Sequence, residues 1–177
     1  MNSSTSPGWS GFLWKMPVRL LVLCASWVLA LGLQAQAPAE YAEKAAFLAK
    51  ITQFVKWPPP AGSAITVGLL GEDSIGGPLA GLINVKRAKR IEDLKDCQVI
   101  FIGKAEQGRL NEILAALEGT NILTVGESEG FAKQGGAIGL IMEGDKVRME
   151  INPGAAKRAG LGIDLRLLKL AARVFNS

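Results

Sequence analysis

Three stretches place chemistry-bearing side chains directly after apolar runs that end in glycine. They are Gly71-Glu72-Asp73-Ser74, Gly103-Lys104-Ala105-Glu106 and Gly126-Glu127-Ser128-Glu129-Gly130. If the runs are parallel strands, their carboxyl ends line one edge of a sheet, where open α/β sheets usually bind ligands. Carboxylates converging there could hold a cation or act as acid and base. On that reading Gly71, Glu72, Asp73, Gly103, Gly126, Glu127 and Ser128 form a small-ligand site. The competing reading is simpler: each acid caps or supports the helix that follows, worth about 0.5–2 kcal/mol apiece. Acids in these positions would also repel a phosphate.

Other chemistry is removed by composition. The chain has no histidine, which excludes Ser-His-Asp and Cys-His catalysis and every histidine-containing metal site. It has two cysteines, Cys24 and Cys97. They are too few for zinc-thiolate clusters, and no Cys-x-x-Cys pair exists for redox work. Cys97 opens an apolar run between Asp96 and Gln98, as a small buried residue would. Gly76-Gly77-Pro78-Leu79-Ala80-Gly81 has glycines but neither the spacing nor the lysine of a phosphate loop. The expectation is a non-enzyme with no catalytic residues, no metal site and no cofactor.

The elements that would position such a site can be read from periodicity. Phe47, Leu48, Ile51, Phe54 and Val55 make the apolar stripe of an amphipathic helix that Pro58-Pro59-Pro60 stops, with Lys44, Lys50, Gln53 and Lys56 on its polar side. Glu40 precedes Lys44 by four, a supportive helical pair. Continuous β-rich runs at 65–70, 98–102 and 121–125 predict strands buried on both faces. Leu110, Ile113, Leu114 and Leu117 give a helix between the last two, ended by Gly119, so a right-handed βαβ unit is expected. A short helix over 74–83 and an edge strand over 84–90, blunted by Lys86, Arg87, Lys89 and Arg90, lie between the first two. Residues 137–151 read as a hairpin around Glu143-Gly144-Asp145, with Arg148 and Glu150 on a wet face. Asp164 opens a final helix whose inward residues are Leu165, Leu168 and Ala172, with Arg166, Lys169 and Arg173 outside. The predicted class is α/β, a mostly parallel central sheet flanked by helices, with a C-terminal antiparallel hairpin.

Residues 1–37 read as a secretory signal: Lys15 and Arg19, a 14-residue apolar core from Leu20 to Leu33, then Ala35-Gln36-Ala37. That core falls short of the ~20 residues of a spanning helix. Cleavage at Ala35, Ala37 or Ala39 leaves one domain over 38–177, periplasmic and no longer tethered to a membrane. Removing the segment takes two of the 20 basic residues and none of the 16 acidic ones, leaving 18 against 16, a net +2. So small an excess does not argue for nucleic acid.

Taken together, four segments resemble the YfiR-like family of secreted bacterial regulators. They are Lys44-Ala-Ala-Phe-Leu through Phe54-Val-Lys-Trp-Pro58, Ile65 to Gly71, Leu94 to Gly103, and Leu123 to Gly136 with its Glu129-Gly-Phe-Ala core. The stretch from Val147 to Leu168 continues the likeness. The resemblance implies an exported α/β protein that binds the periplasmic part of a membrane-bound diguanylate cyclase, holds it inactive in cyclic-di-GMP signalling, and associates as a homodimer. The chain departs from the family pattern at Ala49, at Asp164 and in lacking paired mature cysteines, which removes disulfide control. Under this implication Phe54, Val55, Trp57 and Pro58 are the candidate partner-binding residues. Trp57 either anchors that surface or closes the core at the helix end.

Overall fold

Two alternating sets of side chains on three parallel strands organise the molecule. In a computed structural model, which describes residues 36–59, 64–71 and 74–176, these strands are β2 (Thr66–Leu70), β4 (Val99–Ile102) and β5 (Leu123–Gly126). Val67, Leu69, Val99, Phe101, Leu123 and Val125 enter one apolar cluster, while Leu70, Ile100 and Ile102 enter a second on the opposite face. Both faces are therefore dry, which is why the runs are continuously apolar rather than alternating.

Helix α1 (Gln36–Ile51) covers the first face through Ala45, Leu48 and Ile51, all essentially inaccessible. Helix α3 (Leu110–Ala116) covers the second through Leu110 and Ile113. The short α2 (Gly76–Ala80) and the edge strand β3 (Asn84–Ala88) follow β2 as expected. The hairpin β6 (Ile138–Glu143) and β7 (Lys146–Ile151) turns through Gly144-Asp145 alone, one residue tighter than anticipated. Gly144 takes φ +61°, the first-position glycine of a two-residue turn. The main sheet runs β3-β2-β4-β5-β6-β7-β9, where β9 is Arg173–Val174; it is parallel from β3 to β6, and only the β6–β7 pair is antiparallel.

Three further expectations about the elements change. The first helix does not continue to Trp57: α1 stops at Ile51, and a single 3-10 turn covers Thr52–Phe54. The Thr52 hydroxyl donates back to the Ala49 carbonyl at 2.8 Å, and the chain becomes β1 (Val55–Lys56). The cause is tertiary, because β1 pairs antiparallel with β8 (Gly162–Ile163), a contact more than 100 residues away. Second, α4 (Pro153–Arg158) is followed by a short α5 (Leu165–Leu170) in which Leu167 is buried while Leu165 is 71% exposed. Third, Arg173 belongs to no helical stripe, for the chain extends at Ala171 and forms β9 (Arg173–Val174) beside β7.

Pro38–Ser177 form one compact unit. The expected signal segment lies outside the described residues, except that Gln36 and Ala37 are the first residues of α1. Among the described residues no helix is long and apolar enough to cross a membrane.

Candidate functional site

The sheet order reverses at β2, so the topological switch point lies between the carboxyl ends of β2 and β4, at Gly71 and Gly103. The chain fills this crevice itself. Gly71 takes φ +83°, and the Glu106 carboxylate lies where its side chain would begin. Arg109 holds that carboxylate at 2.7 Å. Glu72 and Asp73 lie outside the described residues.

Gly126, expected beside a ligand, serves packing instead. A Cβ on Gly126 or on Gly136 would overlap the ring of Phe131, which is wholly buried between them. This explains why Glu129-Gly-Phe-Ala comes paired with Gly135-Gly136: the phenyl ring plugs the second cluster where two glycines leave room.

The open space is displaced towards β5 and β6. Pairing between these strands ends at Gly126 with Gly139, whereas β6 continues to Glu143. A cavity of about 830 Å³ lies beyond the end of β5, walled by Tyr41, Lys44, Glu127, Ile141, Glu150 and Phe175 among others. That volume is in the range of small-molecule sites, ~300–1,000 Å³.

Lys44 crosses this site. Its position, four before Leu48, places it on the buried stripe and not on the polar side where sequence reasoning put it, and it is 4% exposed. Its ammonium donates to Glu127 Oε2 at 2.7 Å, pairs with Glu40 at 2.5 Å and lies 5.0 Å from the Tyr41 ring centroid. Burial pushes the ammonium pKa down, but the hydrogen bonds it donates to Glu127 and Glu40 outweigh it and hold the group above the ordinary lysine value. The other Glu127 oxygen accepts the Lys104 backbone N–H at 3.3 Å, tying the end of β5 to the end of β4. Ser128 is buried, and its hydroxyl makes no hydrogen bond with the described protein.

Glu150 was missed as a site residue. Its alternation with Met149 and Ile151 predicts a wet face, yet it is 2% exposed because β9 covers it. Oε1 pairs with Arg173 at 3.2 Å, and Oε2 has no hydrogen-bond partner among the described residues. No local signal in residues 146–151 announces this burial, since a two-residue strand over 20 positions later creates it. Cys97 is a free, buried thiol whose pKa burial pushes up, as an inert core residue requires. Among the described residues no three metal-ligating side chains come together.

The partner-binding candidates divide. Val55 is buried and packs in the core, whereas Phe54, Trp57 and Pro58 are half-buried. The Trp57 indole N–H donates to the Thr52 carbonyl at 3.3 Å, and the Arg166 guanidinium lies 5.2 Å from the Phe54 ring centroid.

A family model described as YfiR/HmsC-like matches residues 41–172. None of the curated proteins matches the chain. Among solved structures it is similar to a conserved domain protein from Vibrio cholerae O1 biovar El Tor strain N16961, at 12% identity and TM-score 0.58, covering 76% of this chain and 60% of that one. It is also similar to an ABC domain from Streptococcus pneumonia in complex with L-Trp, at 10% identity and TM-score 0.54, covering 72% of this chain and 59% of the other. This chain thus spans about three fifths of each, and at such identities the likeness extends to the α/β fold alone.

Proposed function

We propose that this chain, which belongs to the YfiR/HmsC-like family of periplasmic regulators, acts by binding and repressing the periplasmic part of a membrane-bound diguanylate cyclase. The family is regulatory rather than catalytic, and the repressor reading narrows that role to one kind of partner.

One observation carries it: α5 leaves Leu165 and Leu170 71% and 65% exposed, and the residue before Leu165 is bonded to the half-buried Phe54. The Asp164 N–H donates to the Phe54 carbonyl at 2.9 Å, so Leu165 directly follows a residue fixed to that aromatic. A leucine so exposed at the start of α5, beside a segment that carries a partly exposed aromatic, is available to a docking partner. Trp57, Phe54 and Pro58 extend it as anchor residues, tryptophan being enriched among binding hot spots.

Trp57→Ala and Leu165→Glu, made separately, test the reading against binding of the isolated cyclase ectodomain and against cellular cyclic-di-GMP. Truncation of an anchoring tryptophan costs at least ~2 kcal/mol, roughly thirtyfold in affinity. Both variants should therefore release the cyclase and raise cyclic-di-GMP. Folded variants that still bind and repress would refute the assignment.

A second reading, a periplasmic small-ligand binder, is favoured by the cavity beyond β5. It retains Glu127 from the ligand set expected at the strand ends.

A further inference from the structure

Strand β9 is held to β7 by a small set of polar contacts. The Ala172 and Phe175 N–H groups donate to the Met149 and Ile151 carbonyls at 2.8 Å each, and Arg173 pairs with Glu150 Oε1 at 3.2 Å. Arg173 and Val174 are themselves exposed, Val174 by 44%. The receiving side is the exacting half of this contact. Glu150 is buried in β7, and a buried carboxylate that loses its cation is strongly destabilising. The slot beside β7 therefore selects an extended segment that carries a cation in register with Glu150. Residues 171–175 are such a segment, and every copy of the chain carries them.

The connection to this segment has no turn of its own. Ala171 ends α5 in an extended conformation, φ −68° and ψ 138°, and β9 begins at Arg173. Leu170, the last residue of the helix, is 65% exposed. We propose that two copies of the chain exchange β9, each laying Arg173–Val174 beside β7 of the other through a change of backbone angles at Ala171 and Ala172. A short hinge invites exchange, and the contacts made at β7 are the same whichever copy supplies them. The gain is apolar: crossing at the hinge sets the two Leu170 side chains together and removes from water surface that a single copy leaves exposed. Arg173 and Phe175 wall the cavity beyond β5, so in the pair each cavity is completed by the other copy. The repressor reading rests on Phe54, Trp57 and Leu165 and stands or falls separately.

A charge exchange tests this. Arg173→Glu and Glu150→Arg, prepared separately, each set like charges against one another within a single copy. Unfolded together in urea and refolded, the two chains satisfy both contacts only by exchanging β9 with each other. Native mass spectrometry should then show a 1:1 heterodimer that exceeds either homodimer by at least ~10-fold. The parent should dimerise at millimolar concentration, and Leu170→Ser should weaken that dimer at least ~10-fold. If Glu150→Arg does not fold, the parent decides: isotope-labelled and unlabelled chains are refolded together, and isotope-filtered NOEs between Val174 of one chain and Ile151 of the other uphold the exchange. A parent that stays monomeric at millimolar concentration, or a dimer whose Val174–Ile151 contacts lie within one chain, would overturn the proposal. So would folded charge variants that form no heterodimer, or a dimer unaffected by Leu170→Ser.

Discussion

Replacing Lys44 by methionine tests whether the Lys44–Glu127 pair is the buried electrostatic contact that joins α1 to the end of β5. The side chains are 5% and 10% exposed, and the ammonium also engages Glu40, which is 31% exposed. Removing one partner of a buried pair costs ~3–5 kcal/mol, because the remaining charge has neither solvent nor counterion. Glu40 can rehydrate and methionine packs in the apolar stripe, so we expect the lower end, about 3 kcal/mol. That is a large part of the ~5–15 kcal/mol that stabilises a domain, and it lowers the melting temperature by roughly 10 °C.

The assay is urea denaturation of the parent, Lys44→Met, Glu127→Gln and the double variant. Once Lys44 is gone, neutralising Glu127 should restore part of the loss, giving a coupling of at least ~1.5 kcal/mol. The pH dependence has a defined sign. Lys44 titrates above its ordinary value of 10.5 in the fold, so its contribution is fully present below pH 10.5 and is lost as pH rises through the folded value. The gap between parent and Lys44→Met should hold from pH 7 to pH 9 and narrow only above pH 10.5. Additivity of the two single changes within ~0.5 kcal/mol would refute the buried-pair account.

Gly136→Ala should destabilise the protein by at least ~1–3 kcal/mol, since the new methyl overlaps a phenyl ring with no room to move. Gly77→Ala meets nothing within 4 Å on α2 and should stabilise it by up to ~1 kcal/mol, so denaturation midpoints moving the same way would contradict the packing. Asp164 accepts both the side chain and the backbone N–H of Arg166, which hold its pKa at about 2 against an ordinary 3.8. Its stabilising effect should therefore be complete above pH 3.8 and fade as pH falls through about 2. Carboxyl NMR titration should show this, and Arg166→Gln should move the pKa back towards 3.8.

Local pattern was enough wherever a residue's neighbours in the chain are also its neighbours in space. The continuous runs ending at Leu70, Ile102 and Val125 encode doubly covered strands, because a strand dry on both faces needs apolar residues at every position. The spacing of Leu110, Ile113 and Leu117 encodes the helix between two of them, and Gly119 at φ +69° ends it. The charged edge strand, the hairpin and the Asp164 cap are local in the same sense.

The site was decided elsewhere. Helix α1 ends at Ile51 because β1 has a partner at Ile163, and Glu150 is buried because Arg173 and Val174 form a strand beside it. Sequence periodicity reports which residues share a face, not which distant segment covers that face. Lys44 was the one partial exception, lying four residues before Leu48 on a stripe that its charge made easy to misread. Its burial is tolerable only because folding brings Glu127 from 83 positions away to within 2.7 Å, an encounter that no local pattern contains.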